Sequence, residues 1–184
     1  MGRAYAKVMF SEAAKRLQEQ HGSRAQYERL AERGESGDGL GPMERDFIAR
    51  RDSFYIASVT EEGWPYMQHR GGPKGFLRVL EAKMLAFVDY AGNKQYITAG
   101  NLETNDRVAL FLMDYPHEAR LKVIGHARAV EGDTELEARV KLEGDNAKVE
   151  RVVVIEVVAF DWNCSQHITP RWTEEEIARL SPTE

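Results

Sequence analysis

Seven short segments rich in β-branched and aromatic residues constrain the fold of this chain more than any other feature. They recur at roughly regular spacing, turn residues such as Glu61-Glu62-Gly63 separate them, and few helical stretches interrupt them. Because a doubly wound parallel sheet needs a helix after almost every strand, the pattern favours a mainly β fold, a six- to seven-stranded antiparallel sheet or barrel. The predicted strands span residues 53–60, 64–70, 76–81, 84–90, 107–113, 119–130 and 151–160.

The predicted helices lie mostly outside this run of strands. Ser11 and Ser23 suit the N-caps of two helices, and Pro42 suits the first turn of a third. A helix over residues 133–142 and one after the capping box at Thr173 complete the set. We therefore expect a single domain over residues 1–184, consisting of a helical N-terminal extension (1–52), a barrel core (53–160) and a C-terminal tail with a short helix (161–184).

Composition argues against several classes of partner. The net charge of −5 is spread along the chain without a long single-sign run, so no basic face for a nucleic acid is expected. Cys164 is the single cysteine, which excludes an intramolecular disulfide and fits a reducing compartment. The amino terminus lacks the apolar core of a signal peptide, and no apolar run approaches the ~20 residues that span a bilayer. We expect a cytoplasmic protein that contacts neither nucleic acid nor membrane.

The common catalytic motifs are missing from the sequence. It contains no G-x-S-x-G, no P-loop, no G-x-G-x-x-G after a strand and no H-E-x-x-H. No two histidines have metal-ligand spacing, so no metal site is predicted and the catalytic residues stay unidentified. The histidines are His21, His69, His117, His126 and His167.

Two segments have the composition of an anion-binding site. Residues 68–76 combine three glycines and a proline with His69, Arg70 and Lys74, and residues 89–96 place Gly92 beside Lys94. Glycine lets the backbone approach a ligand closely, and exposed amides with Arg or Lys favour phosphate. The alternative for the first segment is a hairpin loop with incidental charge, and for the second an ordinary turn.

The order of these segments resembles a known family. From residue 54 to residue 130 the chain runs through Gly63-Trp64-Pro65, Gln68-His69-Arg70-Gly71-Gly72, Gly92-Asn93-Lys94, Asn101-Leu102 and Leu121-Lys122-Val123-Ile124-Gly125. This order is similar to that of the FMN-binding split-barrel proteins related to pyridoxamine 5′-phosphate oxidase. The resemblance implies a split β-barrel of the FMN-binding type and a homodimer with FMN in clefts between the subunits, so that one chain makes an incomplete site.

The resemblance also implies roles for individual residues. Arg70 lies on the strand that reaches the FMN phosphate, with His69 and Gly71 beside it, and Asn93 and Lys94 lie in the loop that closes on the phosphate and ribityl chain. Further residues implied near the cofactor are Gln68 and Tyr90 by the ring, Asn101 in the turn before the next strand, and Arg120 and Lys122 on a long strand. A phosphate dianion needs Arg or Lys donors, and a positive charge near the flavin ring stabilises reduced flavin.

The segment after the last predicted strand is a third candidate. It resembles an Asn-Cys-x-Gln-His-Ile tail in one branch of the family, and we expect it to close over the flavin or substrate through Asn163, Gln166 and Arg171. The alternative is a structured tail that packs Trp162 and Ile168. The Arg-x-His substrate motif of the oxidase that makes pyridoxal phosphate has no good match, so the resemblance does not imply that reaction.

These features predict an FMN-dependent oxidoreductase that acts on an unidentified small molecule, with an electron donor such as NAD(P)H. One alternative is a flavin-binding sensor or carrier without turnover. Another is a haem-binding relative on the same barrel, with His69, His126 or His167 as the axial ligand.

Overall fold

A single antiparallel sheet of seven strands dominates the computed structural model, which describes residues 2–33, 36–162 and 166–180. The strands lie in the order β2-β1-β5-β6-β7-β4-β3. They are β1 (Ser53–Val59), β2 (Pro65–Gly71), β3 (Arg78–Glu81), β4 (Met84–Tyr90), β5 (Arg107–Asp114), β6 (Ala119–Val130) and β7 (Val149–Trp162). The mainly β, antiparallel prediction is confirmed, and β7 extends two residues beyond the predicted end.

Seven helices flank this sheet in the described ranges. They are α1 (Arg3–Met9), α2 (Glu12–Gln20), α3 (Arg24–Arg33), α4 (Pro42–Ala49), α5 (Ile97–Thr104), α6 (Thr134–Val140) and α7 (Glu174–Leu180). The predicted cap at Ser11 is formed, since its hydroxyl accepts from the Ala14 amide at 3.2 Å. The segment 89–96 ends in residues that could open a helix, but the sequence did not predict the extent of α5. None of these helices is both long and apolar enough to cross a lipid bilayer.

The pairing register decides which side chains share a face. In the β1–β2 hairpin, Phe54 lies opposite Arg70 and Tyr55 opposite His69. Because successive side chains of a strand point to opposite faces, Gln68 and Arg70 lie on one face of β2, and Met67 and His69 on the other. β2 is an edge strand of the sheet. Each of its two faces lines a different pocket, and both pockets are described below as candidate sites.

A bulge interrupts the longest strand pair, β6–β7. The register shifts between Ile124 and Gly125, where the chain passes close to its neighbour. A Cβ on Gly125 would lie 2.3 Å from the carbonyl oxygen of Glu156, so only glycine fits this position without a backbone shift.

The main hydrophobic core lies on one face of the sheet and is aromatic at its centre. Phe54 stacks on Phe76 with ring centroids 5.5 Å apart and meets Phe87 edge-on at 5.3 Å. Aliphatic side chains of β5, β6 and β7 complete it, including the fully buried Leu121 and Ile155. This packing fixes the backbone of β4 and of β1, the strand to which β2 is hydrogen-bonded.

A buried ion pair joins Arg51, two residues after α4, to the end of β5. Arg51 Nη2 lies 2.7 Å from Asp114 Oδ2, and Arg51 Nη1 donates to the Met113 carbonyl at 3.0 Å. Burial would raise the pKa of Asp114, but the hydrogen bond from His117 and the charge of Arg51 outweigh it and lower that pKa. Asp114 is therefore an ionised carboxylate inside the protein.

The N-terminal extension packs against the sheet through close backbone contact. A Cβ on Gly2 would lie 3.0 Å from the Phe160 carbonyl oxygen and 3.1 Å from the Gly37 Cα. Tyr5 and Ala6 of α1 are buried, with Tyr5 against Ile124 and Ala159. Helix α1 therefore covers part of the outer face of β6 and β7.

Candidate functional site

The first candidate site is a groove of about 300 Å³ between β2, the end of β4 and the start of α5, here called the polar groove. Side chains from three separate stretches of the chain line it, because the ion pair between Arg70 of β2 and Asp89 of β4 brings these two strands together and the loop of residues 91–96 follows β4. Its charged and amide side chains are Gln68, Arg70, Asp89, Asn93, Lys94, Gln95 and Glu150.

Arg70 is the central cation of the polar groove. Its Nη1 donates to Asp89 Oδ1 at 2.5 Å, and its guanidinium lies 5.7 Å from the centre of the Phe87 ring. The Arg70 Nε is buried and has no hydrogen-bond partner among the described residues. Asp89 is shared, since Arg151 Nε lies 3.9 Å from its other oxygen. The guanidinium of Arg70 is thus held in place with its buried Nε–H unused.

The loop between β4 and α5 has a backbone suited to close approach by an anion. Lys94 and Tyr96 both adopt left-handed conformations, with φ of 58° and 53°. The Gln95 amide bonds back to Asn93 Oδ1 at 3.2 Å. Tyr96 precedes α5 without capping it through its side chain, and the first residues of α5 line the groove. Uncapped amides at a helix start favour negative charge.

Three contacts hold the end of β4 and this loop against the segment before β7 and the first residues of β7. The Tyr90 hydroxyl donates to Asp145 and the Tyr96 hydroxyl to Glu150 Oε1 at 2.6 Å, while the Ala91 amide donates to the Lys148 carbonyl at 3.0 Å. Burial and the bond to Asp145 raise the pKa of Tyr90 to about 12. The same bond lowers the pKa of Asp145, so Asp145 is an ionised acceptor at neutral pH.

Helix α5 also orients a side chain of β2. The Thr98 hydroxyl donates to Gln68 Oε1 at 2.9 Å, which leaves the Gln68 amide nitrogen as a donor toward the groove. Beneath the helix, Asn101 Nδ2 donates to Ser58 Oγ at 2.8 Å in a buried pair. The prediction that Asn101 lies in a turn was therefore wrong. It lies inside α5 and fastens that helix to β1.

The second candidate site lies on the opposite face of the sheet, and we call it the outer groove. It has a volume of about 840 Å³, with strands β1, β2, β5 and β6 as its floor. Tyr5 of α1 forms part of one wall and residues 167–171 of the tail form part of another. The ionisable nitrogens that line it belong to His69, Arg120, Lys122, His167 and Arg171.

Within the outer groove the cations differ in their partners. Lys122 Nζ lies 2.9 Å from the buried carboxylate of Asp161 and 4.6 Å from the centre of the Tyr5 ring. Arg120 lies over Phe111 at 5.9 Å and Arg171 over Tyr115 at 4.9 Å. Among the described residues, neither arginine has a carboxylate within ion-pair distance, whereas Lys122 does.

The structure divides the predicted site residues into two groups. Gln68, Arg70, Tyr90, Asn93 and Lys94 line the polar groove, whereas His69, Arg120, Lys122 and Arg171 line the outer groove. His69 is predicted beside Arg70 at the phosphate, but its side chain faces the outer groove, because neighbouring residues of β2 point to opposite faces of the sheet. Gly71, Asn101 and the exposed Gln166 line neither groove, and Asn163 and Cys164 lie outside the described residues.

Some residues at the polar groove were not predicted from the sequence. Asp89 and Glu150 supply its carboxylates, Thr98 orients Gln68, and Arg151 lies over the Tyr96 ring at 4.9 Å. Asp89 begins the second predicted anion-binding segment, residues 89–96. Thr98, Glu150 and Arg151 lie in stretches of sequence that carry no local motif.

The three histidines named as possible axial ligands of a haem lie in two different pockets. His69 and His167 line the outer groove, whereas His126 Nδ1 lies 2.9 Å from Asp106 Oδ1 and faces a smaller pocket. In the described part of the chain, no group of three or more His, Cys, Asp or Glu side chains could hold a metal ion.

Comparison with known proteins supports the predicted family. The family model described as pyridoxamine 5′-phosphate oxidase matches residues 40–161, which include the strands of both grooves. No curated protein sequence matches the chain.

Several solved structures share the fold at low sequence identity. HupZ of Group A Streptococcus is 17% identical, with a TM-score of 0.56 over 72% of this chain and 99% of its own. A putative pyridoxamine 5′-phosphate oxidase from Lactobacillus delbrueckii is 22% identical (TM-score 0.52, 67% and 94%), and an FMN-binding protein from Syntrophomonas wolfei is 13% identical (0.54, 79% and 97%). With the strand order described above and a family model that covers most of its length, the chain belongs to the pyridoxamine 5′-phosphate oxidase family.

Proposed function

We propose that this protein is a flavoprotein that binds FMN, with the cofactor phosphate in the polar groove. The observation that carries the proposal is the buried Nε of Arg70, which lacks a hydrogen-bond partner among the described residues while the side chain lines the groove. Leaving such a donor unsatisfied costs about 1–3 kcal/mol. A phosphate fits this site because its oxygens accept from a guanidinium fork in a charge-assisted, bidentate manner.

The surrounding donors suit the same ligand. Lys94 supplies a second cation from the loop, the uncapped start of α5 supplies backbone amides, and Gln68 supplies an amide nitrogen. An amide donor of this kind also suits the polyol chain that joins the phosphate to the flavin ring. The groove volume of about 300 Å³ is at the lower end for a ligand site, so the ring extends beyond it.

The negative charge of Asp89 repels the phosphate and lowers the affinity of the groove for it. Its carboxylate already accepts from Arg70, and both side chains are largely buried, with 16% and 19% exposed. A phosphate shares Arg70 with Asp89, with Arg151 as the next cation along. The affinity for the phosphate is therefore lower than three cations alone would give.

The same proposal includes a homodimer. The β1–β2 hairpin exposes Trp64 (74%) just before the edge strand and Met67 (66%) on it, and Met67 lines the outer groove. Large apolar side chains grouped on an exposed edge mark protein interaction surfaces. A second copy at this surface would complete the cofactor site, as the family resemblance implies.

When bound, FMN supplies hydride or single-electron chemistry. The chain's own residues bind and orient it: Arg70 and Lys94 hold the anion, and Thr98 fixes the direction of the Gln68 amide. We therefore infer an FMN-dependent oxidoreductase with a small-molecule substrate and a donor such as NAD(P)H. A flavin sensor or carrier is the other function that the same groove supports.

The test has two steps. Titration of the flavin-free protein with FMN, followed by flavin fluorescence, is expected to saturate at one FMN per chain, with Arg78→Ala as a control because Arg78 lies exposed on β3. Oxidation of NAD(P)H by the loaded protein then separates the two functions, since turnover favours the oxidoreductase and tight binding without turnover favours the carrier. If no FMN binds, the proposal fails.

A further inference from the structure

Arg151 of β7 is a buried cation beside the polar groove that does not itself line the groove. Its side chain is 7% exposed, and it lies directly opposite Asp89 in the register of β4 and β7. Because side chains alternate along a strand, Arg151 shares the face of β7 that carries Val153 and Ile155 of the main core. A guanidinium buried beside an apolar core is costly unless carboxylates surround it.

Carboxylates do surround the Arg151 guanidinium. Its Nη2 lies 3.0 Å from Glu150 Oε1 and 3.5 Å from the exposed Glu131. Its Nε lies 3.9 Å from Asp89 Oδ2. The guanidinium also lies over the Tyr96 ring at 4.9 Å, and the Tyr96 hydroxyl donates to the same oxygen of Glu150 at 2.6 Å. Glu150 and Tyr96 therefore hold Arg151 in one position, from which it faces Asp89.

The Asp89 carboxylate links two arginines. Its Oδ1 accepts from Arg70 at 2.5 Å, and its Oδ2 faces Arg151. The Nε of each arginine is buried and has no hydrogen-bond partner among the described residues. Arg151 therefore offsets the negative charge of Asp89 from outside the groove lining, and more of the positive charge of Arg70 is left to attract an anion.

The charged side chains that line the polar groove cancel in number. They are Arg70 and Lys94 on one side of the balance, and Asp89 and Glu150 on the other. Arg151 is within ion-pair distance of both carboxylates, so it shifts this balance in favour of an anion. Because charges in a partly buried site are screened less than those on the surface, the shift reaches a ligand in the groove.

We propose that Arg151 is a positioning residue of the phosphate site, which acts on the ligand through Asp89 and does not touch it. It holds the Asp89 carboxylate between two guanidinium groups and offsets its charge, so that Arg70 binds the phosphate. This inference rests on the proposed binding of FMN in the polar groove. The alternative is an ion pair that only fastens β7 to β4, and riboflavin, which has no phosphate, separates the two roles.

The test compares FMN and riboflavin titrations, followed by flavin fluorescence, for wild type and Arg151→Gln. Coupling within one ion-pair network corresponds to roughly two- to a hundredfold in affinity, so Arg151→Gln should bind FMN about tenfold less tightly. Riboflavin affinity should change by less than about threefold. Arg151→Lys should bind FMN within about threefold of wild type, because the charge beside Asp89 remains. Arg128→Gln removes an exposed cation of β6 that lines neither groove, and it should change neither affinity.

A double variant tests the route through Asp89. In the Asp89→Asn background there is no negative charge for Arg151 to offset, so adding Arg151→Gln should weaken FMN binding by less than about threefold. A tenfold loss that persists in this background overturns the inference, because Arg151 would then act on the phosphate without Asp89. Unchanged FMN affinity in Arg151→Gln, or equal weakening of FMN and riboflavin, overturns it as well.

The design separates this inference from the flavin proposal. When wild type binds FMN, each of the contrary results above overturns the role of Arg151 and leaves the proposed function standing. An absence of FMN binding by wild type overturns both. Thermal melts show whether each variant folds, and Arg151→Met, which removes the charge but keeps an apolar stem beside the core, gives the same comparison if Arg151→Gln does not fold.

Discussion

Replacing Arg70 with alanine should weaken FMN binding while sparing riboflavin, which lacks the phosphate. A hydrogen bond to a charged group contributes about 1.5–3 kcal/mol, and 1.4 kcal/mol is a factor of ten, so FMN should bind roughly ten- to a hundredfold less tightly. The loss should lie toward the upper end because the variant also leaves the Asp89 carboxylate without its 2.5 Å partner, facing the phosphate. Riboflavin affinity should change by less than about threefold.

Flavin fluorescence titrations with both ligands, on wild type and variant, measure the effect. Arg70→Lys should recover part of the FMN affinity because the charge remains while the fork geometry is lost. Asp89→Asn should tighten FMN binding, since it keeps an acceptor for Arg70 and removes a negative charge from the groove. Equal weakening of FMN and riboflavin in Arg70→Ala would refute the reasoning, because Arg70 would then not recognise the phosphate.

Three further predictions concern residues that support the fold around the candidate sites. Asp114→Asn should lower the free energy of unfolding by about 3 kcal/mol because a mostly buried arginine loses its counter-charge, whereas Asp46→Asn, in an exposed pair, should lower it by less than about 1 kcal/mol. Denaturant titrations of both variants measure these changes. Because the pKa of Asp114 is lower in the folded protein than in the unfolded chain, the contribution of this ion pair to the free energy of unfolding should be present above about pH 4 and be lost as the pH falls further. Gly125→Ala should destabilise by about 1–3 kcal/mol, while Gly100→Ala, with open space at its Cβ, should stabilise by about 0.5–1 kcal/mol, and the reverse order in thermal melts would contradict the bulge. Asp145→Asn should speed hydrogen exchange in residues 91–96, and unchanged exchange rates would show that this side chain does not hold the loop.

Most of the strands could be predicted from the sequence because their signals are local. Residues 84–90 and 107–113 alternate or cluster apolar side chains and end at turn residues, and both are strands in the structure. The extent of helix α5 could not be predicted, because Thr98, Gly100 and Asn101 are poor helix formers. A buried contact from Asn101 to Ser58, 43 residues earlier, supports it, and such a contact has no local signature.

The candidate site was predictable in its residue types but not in its arrangement. Gly92, Asn93 and Lys94 form a loop beside Arg70 as expected, because the glycine and the cation in that short segment are local features. Arg70 and His69 are neighbours in the sequence, but their side chains point into different grooves because side chains alternate between the two faces of a strand. Residues that cluster in the sequence of a strand therefore need not cluster in one site. Asp145, which holds Tyr90, lies 55 residues away and becomes a neighbour only through the β4–β7 pairing.

The visible absorption spectrum of the purified protein, with chromatography of the cofactor released by acid, tests the central claim most directly. The account predicts a yellow protein with flavin absorption, and a released compound that elutes with FMN and not with riboflavin or FAD. A protein that is colourless and does not quench added FMN, or one that shows a Soret band and releases haem, would contradict it.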